Sequence, residues 1–174
     1  MLASARPSPG YTLIELLTAC AIVGVTSAFA LPALDDWQRN ARQRTRVTAF
    51  VVSAQLARGE ALRRGHSVTL CPSQDGESCG KDFAQGWIVF DDRRGDRERD
   101  PDDTLLDRYQ APATGPVLTG VLRLTWRSGG RRSTNGTVTF CDGRSKVRSR
   151  AVVVSYTGRP RVEKTLPGGK KLPC

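Results

Sequence analysis

The sequence predicts an α+β protein: one long N-terminal helix followed by a set of antiparallel strands. Three observations carry this. An uncharged run of 19 residues, Leu16 to Leu34, is followed by apolar residues at spacings of three and four as far as Leu62. From Ser67 onward the pattern turns to short apolar runs separated by turn dipeptides. No second helical pattern separates those runs, so neighbouring strands are joined by turns and run antiparallel.

Leu16–Leu34 is rich in Leu, Ile, Val and Ala, and at a rise of about 1.5 Å per residue it is long enough to cross a bilayer. Glu15 stands at its start, inside Leu13-Ile14-Glu15-Leu16-Leu17, where a carboxylate needs a partner. Beyond the run, Val47, Phe50, Val51, Ala54, Ala57, Ala61 and Leu62 form one apolar stripe, with Arg and Gln on the other face. Gly65 is placed to cap the C-terminus. One helix is expected from about Tyr11 to Arg64, bent near Pro32, its first half transmembrane and its second half amphipathic.

Six strands are expected: Ser67–Cys71, Gly86–Asp91, Leu105–Tyr109, Val121–Trp126, Thr137–Cys141 and Ala151–Tyr156. Asp75-Gly76, Gly129-Gly130, Asn135-Gly136, Asp142-Gly143 and Thr157-Gly158 mark the turns between them.

Composition narrows the function. The 174 residues contain a single His, His66, which leaves no basis for a multi-His metal site and little for a His-based triad. No GxxxxGK[ST] phosphate loop occurs. The chain is read as a non-enzyme without cofactor or bound metal. Its net charge of +10 is unevenly spread. Residues 1–120 hold 14 Lys/Arg and 15 Asp/Glu, whereas residues 121–174 hold 13 and 2. An excess confined to the last third points to a polyanion or an anionic surface as partner.

Five cysteines occur. Cys20 lies in the apolar run and is expected to be a small buried residue. The other four suit disulfides in an oxidising compartment, and they allow three pairings. Cys71 and Cys79 flank a turn-rich loop, which favours the local bond and leaves Cys141 with Cys174. The segment Asp91–Asp103 holds seven acidic residues and four arginines. Asp92, Asp96 and Asp100 have loosely suitable spacing for calcium, but the arginines interrupt them, and a self-paired surface loop fits better.

The segment Gly10-Tyr11-Thr12-Leu13-Ile14-Glu15-Leu16 resembles the class III signal of type IV pilins and pseudopilins. A secretory signal peptide or a plain anchor would leave Glu15 unexplained. The resemblance implies that residues 1–10 are a leader, removed after Gly10 by a membrane prepilin peptidase that then methylates Tyr11. It also implies that Glu15, fifth residue of the mature chain, is the assembly residue. Tyr11 replaces the more usual Phe. In a filament core Glu15 would neutralise a neighbouring subunit's amino terminus, since two charges too costly alone in an apolar medium are tolerated as a pair. Residues 11–34 would be the membrane and assembly half of the helix, and residues 35–174 a periplasmic domain. The charged residues on either side of the run do not set this orientation by the positive-inside rule; the pilin signal does.

Three later phrases extend the likeness to the FimT/GspH pseudopilins: Gly86-Trp87-Ile88-Val89-Phe90-Asp91, Asn135-Gly136-Thr137-Val138-Thr139-Phe140-Cys141 and Val153-Val154-Ser155-Tyr156-Thr157-Gly158-Arg159. The resemblance covers nearly the whole chain. It implies two small antiparallel sheets forming a β-sandwich behind the helix. It also implies other pilin subunits as partners, and passage from the inner membrane to a pilus on the cell surface.

The basic region carries the finer expectation. Gly158-Arg159-Pro160-Arg161 resembles the Gly-Arg-x-Arg DNA-binding motif of the FimT branch, which serves DNA uptake in natural transformation. Two arginines around a proline in a tight turn make a compact, stiff bidentate phosphate reader. If extended, Arg144, Lys146, Arg148 and Arg150 share one face as a supporting track, with Lys164 beyond. Trp126 and Tyr156 are the aromatic residues nearby that could stack on bases, so backbone contact without sequence reading is expected. Other readings are a solvated basic surface, pairing of these arginines with the Asp91–Asp103 loop, and adhesion to anionic lipid or polysaccharide. The competing function is a minor pseudopilin that primes or caps a filament of the type IV pilus or of type II secretion without binding DNA.

Overall fold

The computed structural model describes residues 10–111, 117–129, 132–141 and 149–174, with the side chains of 29–33 and 117–118 left aside. The chain divides after Gln38 into two compact units. Helix α1 (Leu13–Arg64) contributes to both.

In the first unit the helix starts two residues later than expected, for a local reason. The Thr12 amide donates to Glu15 Oε2 at 3.0 Å, and the Glu15 amide donates to Thr12 Oγ1 at 3.3 Å. This reciprocal pair is a capping box, so Thr12 is the N-cap. The first turns expose Leu13, Ile14, Leu16 and Leu17. Cys20 is a free, exposed thiol, not the buried residue expected, because nothing among the described residues covers this part of the helix. Among the described residues no helix is long and apolar enough to cross a membrane. The 29–33 side chains, inside the expected span, lie outside the described residues, as do residues 1–9 of the expected leader.

The second unit contains the rest of α1 and eight strands: β1 (Ser67–Pro72), β2 (Gly86–Asp92), β3 (Leu105–Gln110), β4 (Val117–Gly120), β5 (Leu124–Trp126), β6 (Gly136–Cys141), β7 (Arg150–Val154) and β8 (Pro160–Glu163). They form two four-stranded sheets, ordered β3-β2-β1-β5 and β4-β6-β7-β8, antiparallel throughout. Two of these strands, β4 and β8, were not expected. The candidate Val121–Trp126 shrinks to β5, and Ala151–Tyr156 ends at Val154 because a turn begins at Ser155.

Helix α1 ends as anticipated. Gly65 takes φ +82°, and its amide bonds the Ala61 carbonyl at 3.1 Å, a left-handed cap that a side chain would disfavour.

The core is built on the helix stripe. Val47, Phe50, Ala54, Ala57 and Ala61 are buried. Phe50 joins the layers: its ring meets Trp87 of β2 edge-on at 5.2 Å and Phe140 of β6 at 5.7 Å. Small alanines on the following turns let the sheets approach the helix closely. Leu62, placed on the stripe by spacing, is instead 60% exposed at the edge of the unit.

The polar face is less solvated than the pattern suggests. Gln43 is buried and donates to the Phe140 carbonyl at 2.9 Å. Arg46 is buried and donates to the carbonyls of Phe83 and Ala84 at 2.8 and 2.6 Å. Burial lowers the Arg46 pKa from its ordinary value, and these two acceptors compensate the charged form.

Candidate functional site

The basic loop joins β7 to β8. The Gly158 amide donates to the Ser155 carbonyl at 2.8 Å, closing a four-residue turn, and the Ser155 amide donates to the Arg159 carbonyl at 3.3 Å. Gly158 takes φ +73°, a left-handed conformation suited to glycine. Space demands glycine as well: a Cβ there would lie 2.5 Å from Trp126 Cδ1. The indole of Trp126, buried at the end of β5, donates to the Gly158 carbonyl at 2.8 Å. The Ser133 amide holds the Tyr156 carbonyl at 3.0 Å, and Arg58 of α1 reaches the Thr157 carbonyl at 3.3 Å. The loop is thus anchored from three sides.

This arrangement corrects two expectations. Trp126 is no stacking platform, because it is only 1% exposed and serves as the wall behind Gly158. Arg159 lies in the loop, but Arg161 lies in β8, opposite Val153 of β7. The two arginines flank Pro160 at the entry to an edge strand rather than sharing one tight turn. Proline is tolerated there, at the first position of a strand at the sheet edge.

Arg159, Arg161 and Lys164 are exposed. Arg161 shares with Glu163 the lining of a shallow depression of about 230 Å³. Arg150 opens β7, half-buried, and donates to the Ser149 carbonyl at 3.2 Å. Arg144, Lys146 and Arg148 lie outside the described residues.

The acidic loop finds its cations elsewhere. Arg93 pairs with Asp91 at 3.4 Å, Arg94 with Asp100 at 3.2 Å, and Arg123 with Glu98 at 2.7 Å. Asp91 is fully buried and also receives Arg64 at 3.2 Å, while His66 Nδ1 lies 2.6 Å from its other oxygen. Among the described residues, neither Arg159 nor Arg161 pairs with a carboxylate, so this loop does not neutralise them. No cluster of three or more His, Cys, Asp or Glu among the described residues is arranged to hold a metal ion.

Disulfides tie down both neighbourhoods. Cys71 is bonded to Cys79, and Cys141 at the end of β6 is bonded to Cys174, with Cα–Cα distances of 5.6 and 5.5 Å. The second bond holds the tail that carries Lys164, Lys170 and Lys171.

One feature had no signal in the sequence. Beside the Gly158 turn opens a cavity of about 350 Å³, bordered by Arg58 and Leu62 of α1, Trp126 and Arg127, Arg132 and Tyr156. These residues come from the helix, the end of β5 and two loops, and no local pattern links them.

Comparison with known proteins places the chain. The family model described as type II transport protein GspH matches residues 46–158. The type IV minor pilin FimU of Pseudomonas aeruginosa has a similar fold, with a TM-score of 0.53 at 18% identity over 72% of this chain and 90% of that one. The minor pseudopilin EpsH of the Vibrio cholerae type 2 secretion system gives 0.50 at 14% identity, over 70% and 96% of the two chains. The type IV major fimbrial protein FimA of Dichelobacter nodosus is 34% identical over 88 residues, 49% of this chain and 47% of that protein. The chain spans about half the length of the curated relatives it matches. With the helix-and-two-sheet architecture and a family match across most of the second unit, the chain belongs to the GspH family, the fold of minor pilins and pseudopilins of type IV pili and type II secretion.

Proposed function

We propose that this chain is a minor type IV pilin that binds extracellular DNA through its C-terminal basic loop, without reading sequence, for uptake in natural transformation. The observation that carries the reading is the anchored Gly158 turn, followed by exposed Arg159 at the loop's end and exposed Arg161 at the start of β8. The two arginines have no carboxylate partner among the described residues, and they lie in a segment with 13 basic and 2 acidic residues. Guanidinium groups on a fixed backbone bind phosphate as planar forks. Contact with phosphates alone carries no base information. Lys164 would extend the contact, and Arg144, Lys146, Arg148 and Arg150 are the proposed track beside it.

Assembly is part of the same proposal. Prepilin peptidase would cut after Gly10 and methylate Tyr11, and the chain would wait in the inner membrane through residues 11–34. In the uncut chain Glu15 is held by the Thr12 capping box. Once inside a filament, it would turn to the amino terminus of a neighbouring subunit.

A second reading stays specific: a minor pseudopilin that primes or caps a filament and never touches DNA. The fold likeness to EpsH favours it. Cells carrying Arg159→Gln with Arg161→Gln separate the two. DNA uptake falling while surface filaments persist supports the DNA role. Unchanged uptake, or uptake and filaments lost together, supports the pseudopilin role.

A further inference from the structure

The cavity beside Tyr156 extends the proposed DNA contact. Arg58 of α1 and Arg127 and Arg132 of the β5–β6 connection border it, and none of its described lining residues is acidic. Among the described residues none of the three arginines pairs with a carboxylate, unlike Arg63, Arg64, Arg93, Arg94 and Arg123. Tyr156 is 55% exposed, and the Arg132 guanidinium sits over one face of its ring, 5.6 Å from the centroid. Leu62 supplies an exposed apolar wall. An aromatic face, an apolar wall and three cations around one hollow suit a ligand that is both flat and anionic. At about 350 Å³ the hollow is near the small end of ligand sites, roughly 300–1,000 Å³. That has room for one nucleotide and not for a base pair.

We propose that this cavity is a single-nucleotide subsite for single-stranded DNA. One unpaired base stacks on Tyr156 against Leu62, and the phosphate beside it is held by Arg58, Arg127 and Arg132. The inference rests on the reading that the chain binds DNA, and it adds a preference. A duplex keeps its bases stacked and paired, and extracting one costs a few kcal/mol. A single strand supplies the base at much lower cost, and stacking tolerates any sequence. Both strand forms can meet Arg159 and Arg161, but only the single strand can fill the cavity.

The test uses the full chain in neutral detergent micelles. Fluorescence anisotropy follows its binding to labelled oligothymidine, to an abasic strand of equal length and to a duplex of equal length. The wild type is expected to bind oligothymidine roughly 5- to 150-fold more tightly than the abasic strand, the range for loss of one stacked base. Tyr156→Ala should abolish that difference and leave duplex affinity within about twofold, since no phosphate contact is removed. Tyr156→Phe keeps the ring and should behave as wild type, which also guards against a folding artefact. Equal wild-type affinity for the thymidine and abasic strands overturns the inference. So does a Tyr156→Ala loss equal on all three ligands. In either case the DNA reading itself survives. Absence of binding to every ligand contradicts the DNA reading and the subsite with it.

Discussion

The indole nitrogen of Trp126 donates to the carbonyl oxygen of Gly158 at 2.8 Å, and the same ring fills the space where a Gly158 side chain would stand. The basic loop is therefore positioned by the sandwich core. Arg159 follows directly on a residue fixed in both conformation and place.

Gly158→Ala should consequently destabilise the fold. The new Cβ meets Trp126 at 2.5 Å with the backbone at φ +73°. Loss of roughly 1–3 kcal/mol is expected, from strain and displaced packing together. Denaturant unfolding reads the loss, and a shift in tryptophan emission would report that the indole has moved. An unchanged midpoint would mean the loop is not seated on Trp126.

Phe50 is the second structural test. Its ring contacts Phe83, Trp87 and Phe140 at 5.2 to 5.7 Å, so it links the helix with both sheets. Phe50→Ala should cost about 3–5 kcal/mol, and Phe50→Leu distinctly less because most of the volume is kept. Similar unfolding midpoints for the two variants would contradict a core packed around this ring.

Acid should weaken the second unit in a defined window. Hydrogen bonds from Arg63 and Arg64 hold the Glu60 carboxyl at about 2, below its ordinary 4.5. The Ser78 hydroxyl and amide, then the Glu77 amide, hold Asp75 well below 3.8. Both folded values are depressed, so their stabilisation is complete above the unfolded values and is lost as pH falls through the folded ones. The melting temperature should stay level from neutrality to about pH 5 and then decline toward about pH 2. Glu60→Gln with Asp75→Asn should lower it at neutral pH and flatten the decline. A wild-type profile retained by that pair would assign the acid sensitivity elsewhere.

Processing and assembly are tested at the other end of the chain. Mass spectrometry of membrane-extracted protein should show loss of residues 1–10 and gain of one methyl group. A mature start at Ala28 or Leu31 would instead indicate an ordinary signal peptide. Glu15→Ala should leave the second unit folded and reduce incorporation into filaments. Normal incorporation would rule out charge pairing at Glu15.

Much of the fold was legible because apolar runs and turn dipeptides are local signals. Gly86–Asp92 is buried along its whole length and reads as a continuous apolar run ending in two aspartates. Pro160–Glu163 was hidden because a proline and three charged or bulky residues look like a turn, although an edge strand accepts both. Val117–Gly120 is short and follows directly on a Pro-rich, Gly-rich stretch. Gln43 and Arg46 sat on the face read as solvent, because their partners are backbone carbonyls of distant segments. The site divides in the same way. Gly158 and the exposed arginines beside it could be read from four consecutive residues. The Arg58, Arg127, Arg132 and Tyr156 cavity could not, since its members lie up to 98 positions apart and meet only once the sheets are built.

The measurement that bears most directly on the account is the salt dependence of DNA affinity for the full chain and for Arg159→Gln with Arg161→Gln. If the loop and its surroundings neutralise about four phosphates, log K should fall with log salt at a slope of roughly −3 to −4 on duplex DNA. The double variant should lose roughly half of that slope while unfolding as wild type, because both side chains are exposed. Lysine at both positions should restore only part of the affinity, since a point charge replaces a planar fork. A double Gln variant that binds as tightly as wild type at physiological salt, with the same slope, would show that this loop is not the DNA-binding site.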